Sequence, residues 1–191
     1  MTVIHVYGIS VEKMKGLKNK EKRSTSSVRS REDLVPRVEV IKVGVGDFKI
    51  GKEGQVLETI LGCCVGICLY DEKRKIGGLL HTMLPTAPRS ENIDPVRYFN
   101  TGLIEILRVL KIEYGIDKTD LTAKLFGGAK LILKLNHNIG KDNVENARRF
   151  LKQKRIKIVS QKVGGNRGYK IEFDISTGTV KCQLLGKNLE F

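Results

Sequence analysis

The hydrophobic pattern changes character near residue 38. From there VEVIKVGVGDFKI (38–50) alternates apolar and polar positions as a strand does, and the glycines of KIGKEG mark a turn. GQVLETILGCCVGICLYDEKRKIGGLLHTMLP (54–85) then predicts a strand running into a turn at Gly62, a strand from about Cys64 to Tyr70, a charged loop, and a returning strand from Lys75 to Leu84. Pro85 and Pro88 end it. Asp94 before Pro95 predicts a capped helix start; Val96, Phe99, Leu103, Ile106, Leu107 and Leu110 recur at three and four, and Gly115 stops the helix after Tyr114. LTAKLF (121–126) alternates as a strand and meets Gly127 and Gly128, whereas KLILKL (130–135) fits strand and helix equally. Asp142 and Glu145 form a capping-box pattern for a second helix, which carries Val144, Ala147 and Leu151 on one face and ends near Lys154. RIKIVSQK, YKIEFDI and TVKCQLL are three further strands, divided by GGNRG and STG turns. Strands outnumber helices and come in hairpins, so the pattern predicts an α+β fold with a largely antiparallel or mixed sheet core.

Residues 1–37 read differently. After VIHVYGISV comes KMKGLKNKEKRSTSSVRSRED, rich in charge and serine with little to bury, which predicts a basic, flexible N-terminal arm before a folded domain over 38–191. The longest run of apolar residues and glycine, Ile60 to Tyr70, has 11 residues, against the ~20 a membrane helix needs. No secretory signal is recognisable, so a cytoplasmic location without membrane insertion is expected.

Charge adds a direction but no partner. Thirty-five Lys and Arg against 21 Asp and Glu give a net charge of +14, which favours acidic proteins, nucleic acid or lipid headgroups alike. Nine basic and no acidic residues lie between Arg148 and Lys170, with only Phe150 and Tyr169 to stack on bases, so specific nucleic-acid binding is not expected. A solvated basic face accounts for the run equally well.

The cysteines carry the candidate chemistry. Three of the four, Cys63, Cys64 and Cys68, fall within six residues, and Cys182 stands alone. Neighbouring cysteines bridge only with strain, and no C-x-x-C or paired histidine spacing suggests a metal, so neither a disulfide framework nor a zinc site is expected. If Asp71 to Arg74 form the hairpin loop, Tyr70 faces Lys75 and Cys64 falls opposite His81. Opposed residues have Cβ atoms ~4.5–5.5 Å apart, close enough for a thiol and an imidazole to exchange a proton. Strand alternation turns Cys63 to the other face. Gly62 allows a sharp turn that presents amide donors to a carbonyl oxygen, and Thr59 lies near enough to orient the imidazole. The same residues also fit a plain core, with Cys64 and Cys68 as small buried side chains and His81 as a hydrogen-bonded histidine.

TILGCCVGICLYDEKRKIGGLLHTMLP resembles the hallmark segment of the CheD family of chemoreceptor glutamine deamidases: Thr, Leu-Gly-Ser-Cys, a strand ending in Tyr-Asp, Gly-Gly, His and Met-Leu-Pro. FGGAKLI, NIGKDN and VGGNRGYKIEFDISTG match later family blocks in order, so the resemblance spans about Val38 to Leu184. It implies Cys64 as nucleophile, His81 as base, Thr59 as their assistant and the backbone at Gly62 and Cys63 as oxyanion donors. Cys63 stands where the family usually has serine, and Glu58 occupies an alternative place for the threonine. The implied fold is a β-sandwich or sheet core flanked by helices, similar to Cys-His deamidase toxin domains. The implied activity is conversion of receptor glutamines to glutamates with release of ammonia and no cofactor. The implied partners are chemoreceptor cytoplasmic domains and a CheC-type phosphatase. A regulatory, non-catalytic partner of that phosphatase is the alternative reading.

Overall fold

The first alternating segment is not one strand. Val43 is buried and its amide donates to Glu58 O at 2.8 Å, and Gly46 takes the left-handed conformation at φ 70°. The chain therefore divides into β1 (Glu39–Lys42) and β2 (Asp47–Lys52), which join different sheets. The computed structural model describes residues 38–89, 93–131 and 137–185. The arm expected over residues 1–37 and most of the KLILKL segment lie outside these residues.

Seven further strands follow: β3 (Gln55–Leu61), β4 (Val65–Asp71), β5 (Ile76–Thr82), β6 (Thr122–Gly127), β7 (Lys157–Val163), β8 (Tyr169–Asp174) and β9 (Val180–Leu184). One sheet has the order β1-β3-β8-β9 and the other β2-β5-β4-β6-β7. Only β1 with β3 and β6 with β7 pair in parallel; the remaining neighbours are antiparallel. The core is thus a largely antiparallel two-sheet sandwich with helices on one side; the pattern predicted the α+β class and the largely antiparallel sheet, and the family resemblance implied the sandwich.

Two apolar layers hold it together. Leu57, Leu61, Ile171 and Phe173 of the first sheet meet Cys68, Tyr70 and Leu79 of the second between the sheets. On the opposite face of the second sheet, Ile67, Leu69 and Leu80 pack against Leu103, Ile106 and Leu110 of α1 (Phe99–Tyr114) and Ala147 and Leu151 of α2 (Ile139–Lys154). Alternation along β4 feeds both layers, since every residue from Val65 to Asp71 is buried.

The helix ends refine the sequence reading. Asp94 caps a single 3-10 turn, Pro95–Arg97, by accepting from Val96 N; Tyr98 is extended and α1 begins only at Phe99. Gly115 closes α1 in the left-handed conformation, as expected. The second helix starts earlier than the capping box suggests. Asn138 is the cap, accepting from Lys141 N, and Asp142 lies in the first turn, where its charge suits the helix dipole. The basic run from Arg148 to Lys170 is distributed over α2, β7 and β8. Arg148 bonds Gln161, and Lys170 lies between Glu58 and Glu172.

Candidate active site

The hairpin that carries the thiol and the imidazole has a different register from the expected one. Asp71 still belongs to the strand, opposite Ile76, and its buried carboxylate accepts from Lys73 N and Arg74 N. Lys75 completes the loop at φ 52°. Moving the loop by one residue moves each pairing by two, so His81 faces Gly66 and not Cys64. The face is unchanged because the side-chain period is two. Cys64 stands one residue before the strand and two before Gly66, the diagonal position across from His81, where Cα separations are ~7–8 Å.

His81 points into the layer between the sheets. It is 1% exposed, and its Nδ1 lies 2.9 Å from Oγ1 of Thr59, a buried residue of β3 in the opposite sheet. Thr59 Oγ1 donates its single proton to Val43 O at 2.7 Å. The hydroxyl must therefore accept from Nδ1–H, which fixes the imidazole in the tautomer whose lone pair is on Nε2. That atom is buried and has no hydrogen-bond partner among the described residues. Burial holds the imidazole neutral by lowering its pKa to about 4.

The cysteines occupy the bend between β3 and β4, and both are half-buried. Burial, reinforced by neighbouring Cys63, pushes the Cys64 thiol up to about 11. At neutral pH the pair is therefore thiol and imidazole, with the proton on sulfur. Cys68 is completely buried in the sandwich and burial raises its pKa further, so it is a core residue. Cys182 is exposed on β9.

The bend is anchored at three successive carbonyls. Gly62 O accepts from Ala129 N at 2.9 Å, and Cys64 O accepts from Gly128 N at 2.8 Å. Between them Cys63 O accepts from Asn143 Nδ2 at 3.0 Å, and the same nitrogen donates to Met83 O at 2.8 Å. Gly127 has φ 98°, and a Cβ there would strike Cys64 O; a Cβ on Gly140, in the first turn of α2, would strike the carbonyl of Gly128. The glycines expected to mark a turn or close approach do both. Asn143, missed in the sequence, is 2% exposed. It lies four residues before Ala147 and eight before Leu151, a polar side chain on the buried stripe of α2, and that exception to the pattern was the available signal. Among the described residues, the buried side-chain polar atoms without a partner are His81 Nε2, Thr82 Oγ1 and Asn143 Oδ1, all at this end of the sandwich. A mostly apolar cavity of about 210 Å³ adjoins the bend, lined by Cys63, Ala129, Leu131, Ile139 and Gly140 among others.

A half-buried thiol, an oriented neutral imidazole with a bare nitrogen and a backbone bend with its carbonyls tied back are the parts used by hydrolases with a cysteine nucleophile. The comparisons with known proteins specify this further. A family model described as CheD chemotactic sensory transduction matches residues 83–184. The chain is 45% identical over 149 residues to a probable chemoreceptor glutamine deamidase CheD of Pyrococcus abyssi, covering 75% of this chain and 90% of that protein. It is 41% identical over 157 residues to the protein of the same name from Pyrococcus horikoshii, covering 78% of this chain and 96% of that one. The chain belongs to the CheD family. Among solved structures, a hypothetical protein YfiH of Bacillus licheniformis superposes with a TM-score of 0.41 at 15% identity, over 68% of this chain and 61% of that one.

Proposed function

We propose that the chain is a chemoreceptor glutamine deamidase in which Cys64 is the nucleophile, His81 the general base and Thr59 the residue that orients it. The observation that carries the residue assignment is the Thr59–His81 bond, which leaves the Nε2 lone pair free on a histidine that faces Gly66, two residues after Cys64. Cys64 Sγ attacks the side-chain carboxamide carbon of a receptor glutamine as its proton passes to His81 Nε2. Amide donors of the Gly62–Cys63–Cys64 bend hold the oxyanion. Collapse breaks the C–N bond, and His81 returns the proton to the leaving nitrogen, releasing ammonia and leaving a thioester on Cys64. His81 then takes a proton from water as its oxygen attacks the thioester, and glutamate departs with the thiol restored. The net change is glutamine plus water to glutamate plus ammonia.

The positive balance of the chain, +14, suits an acidic protein substrate by electrostatic steering. Receptor cytoplasmic domains as substrate place the reaction in the cytoplasm. Among the described residues no helix is long and apolar enough to cross a membrane. The family resemblance extends the reading to a CheC-type phosphatase as a second partner.

The test is mass spectrometry of receptor peptides after incubation with the protein. The expected result is the glutamine-to-glutamate mass change at defined sites with wild type and none with Cys64→Ala, while circular dichroism is unchanged. Conversion by Cys64→Ala at more than a small fraction of the wild-type rate would remove Cys64 from the role of nucleophile.

A further inference from the structure

We infer that Asn143 is a positioning residue that sets the direction of the oxyanion-binding amide of the nucleophile. The inference rests on the hydrolase reading of Cys64 and adds to it a residue on a distant helix. In a trans peptide the N–H points away from the C=O of the same unit. The unit between Cys63 and Cys64 contains Cys63 O and the amide of Cys64, so whatever fixes that carbonyl also aims that N–H. Asn143 Nδ2 fixes it, at 3.0 Å, from the buried face of α2.

The flanking units are held by backbone alone, Gly62 O by Ala129 N and Cys64 O by Gly128 N. The central unit, the one that carries the nucleophile's own amide, is held by a side chain. Asn143 also ties this bend to the end of the base strand, because its second proton goes to Met83 O, two residues after His81. One amide nitrogen thus sets the relative placement of the two chain segments that carry nucleophile and base. The side chain is fixed in its own turn: both donors face carbonyls, so exchanging nitrogen and oxygen would place acceptor against acceptor. Its Oδ1 is buried and unpaired among the described residues, so an isosteric side chain that lacked the donors would lose the bonds without gaining others there.

Acyl transfer and alkylation separate this role from a merely structural one. Attack on an ester or amide builds an oxyanion and needs the aimed N–H, whereas alkylation by iodoacetamide is a displacement at carbon that builds none. Asn143→Asp and Asn143→Ser are compared with wild type for turnover of p-nitrophenyl acetate, for the rate of Cys64 alkylation across pH, and for deamidation of a receptor peptide. Loss of one oxyanion donor typically costs 10²–10³ in rate. Acyl transfer and deamidation are expected to fall about 100-fold in a folded variant, with alkylation within about threefold and its pH profile unmoved. Parallel loss of acyl transfer and alkylation, or retention of both, would overturn the inference, as would failure of both variants to fold. Wild type that turns over p-nitrophenyl acetate but deamidates no receptor peptide would count against the glutamine substrate and leave the role of Asn143 standing on the ester.

Discussion

The two faces of the β2-β5-β4-β6-β7 sheet are built from the same strands and do different work. Toward the helices, Ile67, Leu69 and Leu80 meet Leu103, Ile106 and Leu110 in a hydrocarbon layer interrupted by the buried Asn143 of α2. Toward the other sheet, an equally buried layer admits Thr59, His81, Cys68 and Tyr70 among its leucines and phenylalanines. Each polar group on that side costs desolvation, and among the described residues His81 Nε2 is buried there without a partner. Hydrocarbon packing fills both faces of the sheet, and the imidazole and the threonine that orients it belong to one of them. Leu80 and His81 are consecutive, and they face the two different layers.

The contrast is broken most severely at His81. His81→Asn should lower deamidation by at least about 10³-fold, since a nucleophile and its base act as a unit. In wild type, activity should hold from pH 8 down to 5 and fall as the imidazole protonates near 4. Stability should respond as well. Burial holds the folded-state pKa below the unfolded value of 6.5, at about 4, so between these values the unfolded chain binds the extra proton and stability falls as the pH is lowered. The loss amounts to about 3 kcal/mol once the pH is below 4. Urea melts of wild type and His81→Asn from pH 7 to 4 measure it; a variant as acid-sensitive as wild type would place the proton elsewhere.

Leu103→Ala tests the other face. It should cost about 2–5 kcal/mol in stability, the range for a truncated buried leucine, while kcat per folded molecule stays within about twofold because no catalytic group touches α1. A large drop in kcat at low temperature would show that the two layers are mechanically joined. The smallest effect is expected at Cys63, beside the proposed nucleophile. Cys63→Ser removes the thiol that reinforces the raised pKa of Cys64, yet burial is the larger cause, so deamidation should change by less than about threefold. Loss of activity in that variant would shift the nucleophile to Cys63.

Much of this division was legible in the sequence. Alternation located the strands, the three-and-four spacing of Phe99, Leu103, Ile106 and Leu110 located α1, and Gly115 marked its end. The face of Cys64 and His81 was also legible, because parity survives an error of two. Their exact pairing was not. It turned on whether Asp71 ended the strand or opened the loop, and the aspartate does both by staying in the ladder while its side chain caps the turn. The division of residues 38–50 between two sheets was hidden for a similar reason. Alternation reports which face a side chain takes and not which neighbour the backbone chooses, and Val43 crosses from one sheet toward the other without interrupting the pattern. Asn143 looked like one more polar residue near a helix start. Its place on the apolar stripe of α2 was a weak signal, and its partners, Cys63 O and Met83 O, which show its role, are more than 50 residues away in the chain.

Cys68 offers a use for the reactive side of the sheet that has nothing to do with turnover. It sits between the sheets with no solvent exposure to speak of, 1%, and burial keeps it protonated. A thiol in that state is invisible to a labelling reagent until the sandwich parts. In a protein whose other three cysteines are replaced, the slow labelling of Cys68 under native conditions becomes a clock for spontaneous separation of the two sheets. The protein therefore carries its own gauge of how often the layer that houses Thr59 and His81 opens to water.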